Sequence, residues 1–367
     1  MKRWILYLVT IAVCFFTGGC ILDEDVSDGD ENGALSARGL FIFESDFQSG
    51  MLECMDVDSA NVSPMELPVF NDAVLRSYHG AVYVLERLGA DNIMKIDPAK
   101  RGEDAVIYQR HLSNKCNPYD IAFLSDTKAY VANQNAPEIL IVNPQNGSAE
   151  KSIGLETYIY MPENNTSPYA NRMAVVGSVV YVTLQRRNGF NPGAPTLIIP
   201  IDSEKDSIME EDTVRCTFSN NNDMVAVEGK LFCTNPGNAM ENDDGGIEVV
   251  DCATGEVSTI LTEEQLGGNP NQIIHKGGNR FYVQVYAGWT DVKVVEIDAA
   301  EKKIVETLPD IHDAFGGISY DASREQLYVG ERDASGIGIL VFRNNRKAGG
   351  PYRSPTSLPP SCLVLVE

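Results

Sequence analysis

The stretch "PYDIAFLSDTKAYVANQNAPEILIVNPQNG", Pro118 to Gly147, decides how the chain reads. Short apolar and β-branched runs alternate with polar turns, which is the pattern of three successive strands. Its middle run carries an aromatic–aliphatic pair, Tyr130-Val131. The same pair, set after a Gly or polar turn, occurs as Phe41-Ile42, Tyr83-Val84, Tyr181-Val182, Phe232-Cys233, Tyr282-Val283 and Tyr328-Val329. Its spacing averages about 48 residues, within the range of the longer repeat architectures.

Companion elements keep phase with the pair. A third strand follows it and ends on a turn-forming residue at Asp58, Asp97, Asn143, Asp202, Asp251 and Asp298; the last repeat ends at Phe342 without one. An apolar strand precedes it in "AVLRS", "DIAFL", "RMAVV", "DMVAV", "NQIIH" and "GGISY". The first repeat lacks this strand, and the chain end "LPPSCLVLVE" supplies it, with Leu363 and Leu365 falling where Ile121 and Phe123 fall. The expected fold is all-β: a seven-bladed β-propeller of four-stranded antiparallel blades over residues 39–367, closed by the C-terminal strand completing the first blade. Long helical periodicity is absent, which disfavours α/β folds.

The pattern "NPYDIAF…AYVAN…ILIVNPQNG" resembles the YVTN-type repeat of bacterial seven-bladed propellers, related in fold to quinoprotein amine dehydrogenase heavy chains and lactonase-type propellers. The resemblance implies a fold and leaves the activity open, because propellers host many unrelated functions.

Ahead of the repeats, Lys2 and Arg3 precede an apolar run from Trp4 to Phe16, too short to span a bilayer and suited to a signal segment. It ends in "TGGC", which resembles a bacterial lipobox, so residues 1–19 read as a lipoprotein signal peptide and Cys20 as the lipidated residue. Residues 20–38 are acidic and aperiodic, the composition of a flexible tether. Within them "DGDENG", Asp28 to Gly33, resembles half of an EF-hand loop, but Gly39 stands where the bidentate Glu is required. Ile21 after the lipidated Cys favours the outer membrane over the inner one.

The 367 residues carry a formal charge of −23, which excludes wrapping of a nucleic-acid backbone. Six cysteines remain after the signal segment and Cys20: Cys54, Cys116, Cys216, Cys233, Cys252 and Cys362. None forms a C-x-x-C pair, which argues against thioredoxin-like chemistry and zinc knuckles.

In a propeller, the starts of first strands and the ends of second strands frame one mouth of the central channel. That places Arg87, Asn117, Tyr119, Asp120, Asn133, Arg172, Arg186, Arg187, Asp223, Asn271 and Arg332 there, with Phe190 and Trp289 on longer insertions. Five arginines in so acidic a chain suggest a pocket for an acidic or polar ligand. The bland alternative is that each arginine pairs with a nearby carboxylate and closes a loop. Lactonase-type propellers use His, Arg and Glu, yet His79 and His275 fall at the opposite face and His111 and His312 between blades. No catalytic residue, metal ligand or cofactor is expected, although Glu44, Glu86, Asn133, Asn222 and Asp223 could converge on a divalent cation in the channel. The reading is therefore a monomeric, lipid-anchored envelope module that binds a small polar ligand or an envelope protein. A propeller hydrolase, or an accessory subunit of an envelope complex, is the alternative.

Overall fold

A computed structural model describes residues 39–366 except 162, 190, 242 and 289. The signal segment, Cys20, the acidic tether with its "DGDENG", Phe190 and Trp289 lie outside the described residues.

Seven antiparallel sheets make up the ring, and in blades 2 to 7 the first strand of each sheet is innermost. Blades 2 to 7 begin with inner strands Ala73–Tyr78, Pro118–Ser125, Ala170–Val176, Asp223–Val227, Asn269–Gly277 and Ile318–Asp321. Blade 4 departs from the plan: its third strand, Pro195–Asp202, pairs with both Ser207–Ile208 and Val214–Ser219, and a small hairpin, Arg187–Asn188 with Asn191–Pro192, projects beside it.

The ring closes as the sequence predicts. Strand Pro360–Val366 pairs antiparallel with Gly39–Ser45, and Leu363 faces Ile42 as Ile121 faces Val131 in blade 3. Both chain ends of the propeller are thereby held in one sheet, where the ladder and the burial of Leu363 and Val366 resist fraying.

The aromatic–aliphatic pair owes its regularity to the two-residue period of a strand, which sends neighbouring side chains to opposite faces. Tyr130 enters the hydrophobic cluster shared with blade 4, alongside Val182 and Ile199, and Val131 enters the cluster shared with blade 2, alongside Tyr83 and Ile93. The same split holds around the ring: Phe41 packs toward blade 2 and Ile42 toward blade 7, and Tyr328 packs toward blade 1 and Val329 toward blade 6. Each pair straddles its blade, and the core is a set of inter-blade layers rather than a central mass. An aromatic at this position supplies the large apolar area that each layer requires.

The turn residues closing the third strands act through their carboxylates or amides. Asp97, Asn143, Asp202, Asp251 and Asp298 each accept a backbone N–H from two residues ahead, at 2.9–3.0 Å. Blade 1 requires a correction. The turn is made by Asp56, which accepts from Asp58 N–H at 2.9 Å and Ser59 N–H at 2.7 Å, while Asp58 itself pairs with Arg324 of blade 7.

Candidate functional site

The starts of the inner strands converge on a cavity of about 530 Å³ at one face, here the upper face. A second cavity of similar volume lies at the other end of the inner strands, lined by Tyr78, His79, Ile274, Tyr320 and Val364–Val366. Gly39 pairs with Val366, so the described chain begins at that lower face.

Of the residues expected at the mouth, Arg87, Tyr119, Asp120, Arg172, Asp223, Asn271 and Arg332 line the upper cavity. Asn117 and Asn133 are buried and close loops: Asn117 Nδ2 donates to Gln134 Oε1 at 3.0 Å, and Asn133 Nδ2 to the Glu138 carbonyl at 3.2 Å. Arg186 and Arg187 do not belong to the lining. The Arg186 guanidinium lies over Tyr160, 5.5 Å from the ring centre, and Arg187 Nε donates to Asn220 Oδ1 at 3.3 Å. Burial lowers the pKa of both arginines.

The inner strands also bring in Arg76, and the rim brings in Phe47, Asp72 and Phe315, none of which the sequence singled out. Arg76 was legible in retrospect. In "AVLRS" it stands two residues after Val74, so both side chains face the channel.

Most of the charge here is spent on sewing blades together. Arg76 Nε meets Asp120 Oδ1 at 2.7 Å across blades 2 and 3, and Met173 N–H of blade 4 donates to Asp120 Oδ2 at 2.9 Å. Arg172 Nε meets Asp223 Oδ1 at 3.3 Å across blades 4 and 5, and Ile273 N–H of blade 6 donates to Asp223 Oδ2 at 3.0 Å. Gln272 plays the same part toward blade 7, accepting Ile318 N–H at 2.8 Å and donating to its carbonyl at 3.0 Å. Burial opposes the charge of Arg172, but Asp223, Tyr119 and Asp120 outweigh it and its pKa is raised. Burial likewise raises the pKa of Asp223, against the pull of Arg172.

The second-strand ends are committed as well. Glu86 accepts from Phe70 N–H at 2.8 Å and from Asn92 Nδ2 and Gln109 Nε2, each at 2.7 Å. Glu44 accepts from Ser354 Oγ at 2.6 Å and from Thr356. The set Glu44, Glu86, Asn133, Asn222 and Asp223 is thus distributed over separate contacts. Among the described residues no group of three or more His, Cys, Asp or Glu is placed to hold a metal ion. Of the histidines, His79 Nδ1 bonds Asp126 Oδ1 at 2.8 Å and His275 Nε2 the Gly278 carbonyl at 2.9 Å, both away from the upper cavity.

Among the described residues lining the cavity, matching cations to anions leaves one arginine over. Arg87 pairs with Asp72 at 3.0 Å, Arg76 with Asp120 and Arg172 with Asp223. Arg332 has no carboxylate within ion-pairing distance among the described residues. Its Nη1 donates to Ser361 Oγ at 2.9 Å and the Pro360 carbonyl at 3.2 Å. Arg87 and Arg172 lie over Tyr119, 4.1 and 5.2 Å from its ring centre, and Arg332 lies 5.5 Å from that of Phe47 and 5.9 Å from that of Phe315.

The chain is a seven-bladed β-propeller whose upper cavity, among the described lining residues, carries one arginine without an ion-pair partner. No family model matches it, and no curated protein matches it by sequence. Solved structures match it in shape. A candidate 6-phosphogluconolactonase from Bacteroides fragilis NCTC 9343 is 11% identical with a TM-score of 0.62, over 90% of this chain and 98% of that one. A functionally unknown protein from Desulfotomaculum acetoxidans DSM 771 is 11% identical with a TM-score of 0.61, over 90% and 99%. Apo AztD from Citrobacter koseri is 12% identical with a TM-score of 0.53, over 90% and 98%. At these identities the likeness is one of fold.

Proposed function

We propose that this protein is an exported envelope module, held to the membrane by a lipid on Cys20, that binds a small anionic ligand in its upper cavity. The observation that carries the reading is Arg332: a guanidinium in an open cavity, held by neutral oxygens, in a chain of net charge −23. An arginine without a carboxylate partner is a ready-made anion fork. Binding is favoured over turnover because the cavity carboxylates Asp120 and Asp223 are each tied to an arginine and a backbone N–H. A general acid or base must be free to exchange its proton with substrate. The protein acts as a monomer, with the outer membrane its favoured location.

Isothermal titration of the soluble propeller with simple carboxylates tests the site. Arg332→Gln abolishes the binding if the reading holds; undiminished binding in that variant sinks it. For the anchor, Cys20→Ala should release the protein from carbonate-washed membranes, and continued retention would refute lipidation there.

A further inference from the structure

The unmatched arginine is flanked by two phenylalanines that the fold leaves in water. Phe47 is 62% exposed and Phe315 45% exposed, and both line the upper cavity. Their backbones are fixed. Phe47 has a left-handed φ of 65°, a costly conformation for a bulky residue. It is held there by its N–H to Ser45 Oγ at 2.9 Å and by Asn71 Nδ2 donating to its carbonyl at 2.7 Å. Phe315 rides on the turn Ala314–Gly316, where its N–H donates to Asp313 Oδ1 at 3.2 Å. Gly316 packs so closely on Gly330 that a Cβ at either would meet backbone atoms of the other at 2.5–2.6 Å. A loop that pays strain to hold an apolar ring in solvent calls for an explanation outside the packing of the core.

Resting on the anion-binding reading above, we infer that the ligand is a monocarboxylate bearing a planar aromatic ring, its carboxylate on Arg332 and its ring against Phe47 and Phe315. The guanidinium spends Nη1 on Ser361 and Pro360, and its Nε and Nη2 have no protein partner among the described residues. That edge is the one a carboxylate takes bidentately. Among the described residues that line the cavity, four arginines stand against three aspartates, so a monoanion balances the lining, while Asp72, Asp120 and Asp223 repel a second negative charge. The exposed rings supply apolar surface beside the cation, and a ring there gains stacking contact that a compact anion lacks.

The test uses phenylacetate, acetate, succinate and the neutral phenylacetamide as probes in isothermal titration against the propeller. Phenylacetate should bind roughly tenfold or more tighter than the other three. Phe47→Ala/Phe315→Ala should erase the ratio by which phenylacetate outbinds acetate, and Arg332→Gln should abolish carboxylate binding. Both phenylalanines are exposed, so the double variant should keep the wild-type thermal midpoint, checked by circular dichroism. Equal binding of acetate and phenylacetate that depends on Arg332 overturns the aromatic clamp but keeps the anion site. Tighter binding of succinate overturns the monoanion assignment alone. Binding of no carboxylate overturns both.

Discussion

Glu53 offers a sharp energetic test of the fold. It lies in strand Gly50–Met55 of blade 1, wholly buried, where the pairing register with the next strand slips. Its Oε2 accepts from Met65 N–H at 2.9 Å, and its Oε1 has no partner. Burial raises its pKa from 4.5 to about 7, opposed by the Met65 hydrogen bond and reinforced by Glu44. The native state therefore keeps a proton that the unfolded chain releases near 4.5. Between those values the native state binds more protons, so stability falls as pH rises, by about 1.4 kcal/mol per unit, and levels off above pH ~7. The accumulated loss is roughly 3 kcal/mol. Glu53→Gln removes the titration while retaining an acceptor for Met65. Whatever constant packing difference the amide introduces, the stability gap between variant and wild type should shift toward the variant by about 2 kcal/mol from about pH 5 to about pH 7, with little change beyond. Urea unfolding followed by far-ultraviolet circular dichroism measures that gap. A gap independent of pH would show that Glu53 titrates normally, and the account of an unpaired buried carboxylate would be wrong.

Glu263, also raised to about 7 by burial and by Asp244, should give the same sign and window in Glu263→Gln. Removing residues 360–367 should abolish the cooperative unfolding transition, since the first blade loses its inner strand; a truncated chain that still melts cooperatively would refute ring closure as a requirement. Asp120→Ala strands Arg76 and the Met173 N–H, and should cost about 2–4 kcal/mol in denaturant unfolding, with Asp120→Asn costing less. Iodoacetamide should modify the half-buried Cys362 of the upper cavity well before Cys54 and Cys116, whose thiols burial pushes up to about 12; mass spectrometry of the native protein would read the order.

The fold was legible because its sequence signal is a packing requirement repeated at every blade. Tyr130 and Val131 point to opposite sides of one strand, so each of two neighbouring cores needs its own apolar residue, and the pair recurs wherever a blade does. The closing strand was legible for the same reason, as Leu363 and Leu365 alternate with the phase of Ile121 and Phe123. The turn of blade 1 was misplaced by two residues because "MDVD" offers two aspartates, and only the ladder's end decides which closes it.

The upper cavity was legible as a place but its arrangement was not, and two arginines show why. Arg87 and Arg332 both follow a glutamate at the end of a second strand, and the backbone N–H of each donates at 2.9 Å to the carbonyl of an aspartate before the inner strand, Asp72 and Asp313 respectively. By sequence and by ladder the two are equivalent. Asp72 turns its carboxylate to Arg87 at 3.0 Å. Asp313 instead spends Oδ1 on the N–H of Phe315 at the turn Ala314–Gly316. Glu331, next to Arg332 in sequence, accepts from His312 N–H at 2.9 Å and Asp313 N–H at 2.7 Å. The turn that lifts Phe315 into solvent is thus the same one that holds Asp313 Oδ1, so the carboxylate acts on Arg332 as a nearby charge without forming an ion pair. The exposed ring and the unmatched charge have one structural cause, which is why a ligand that answers only one of them would leave the cavity half satisfied.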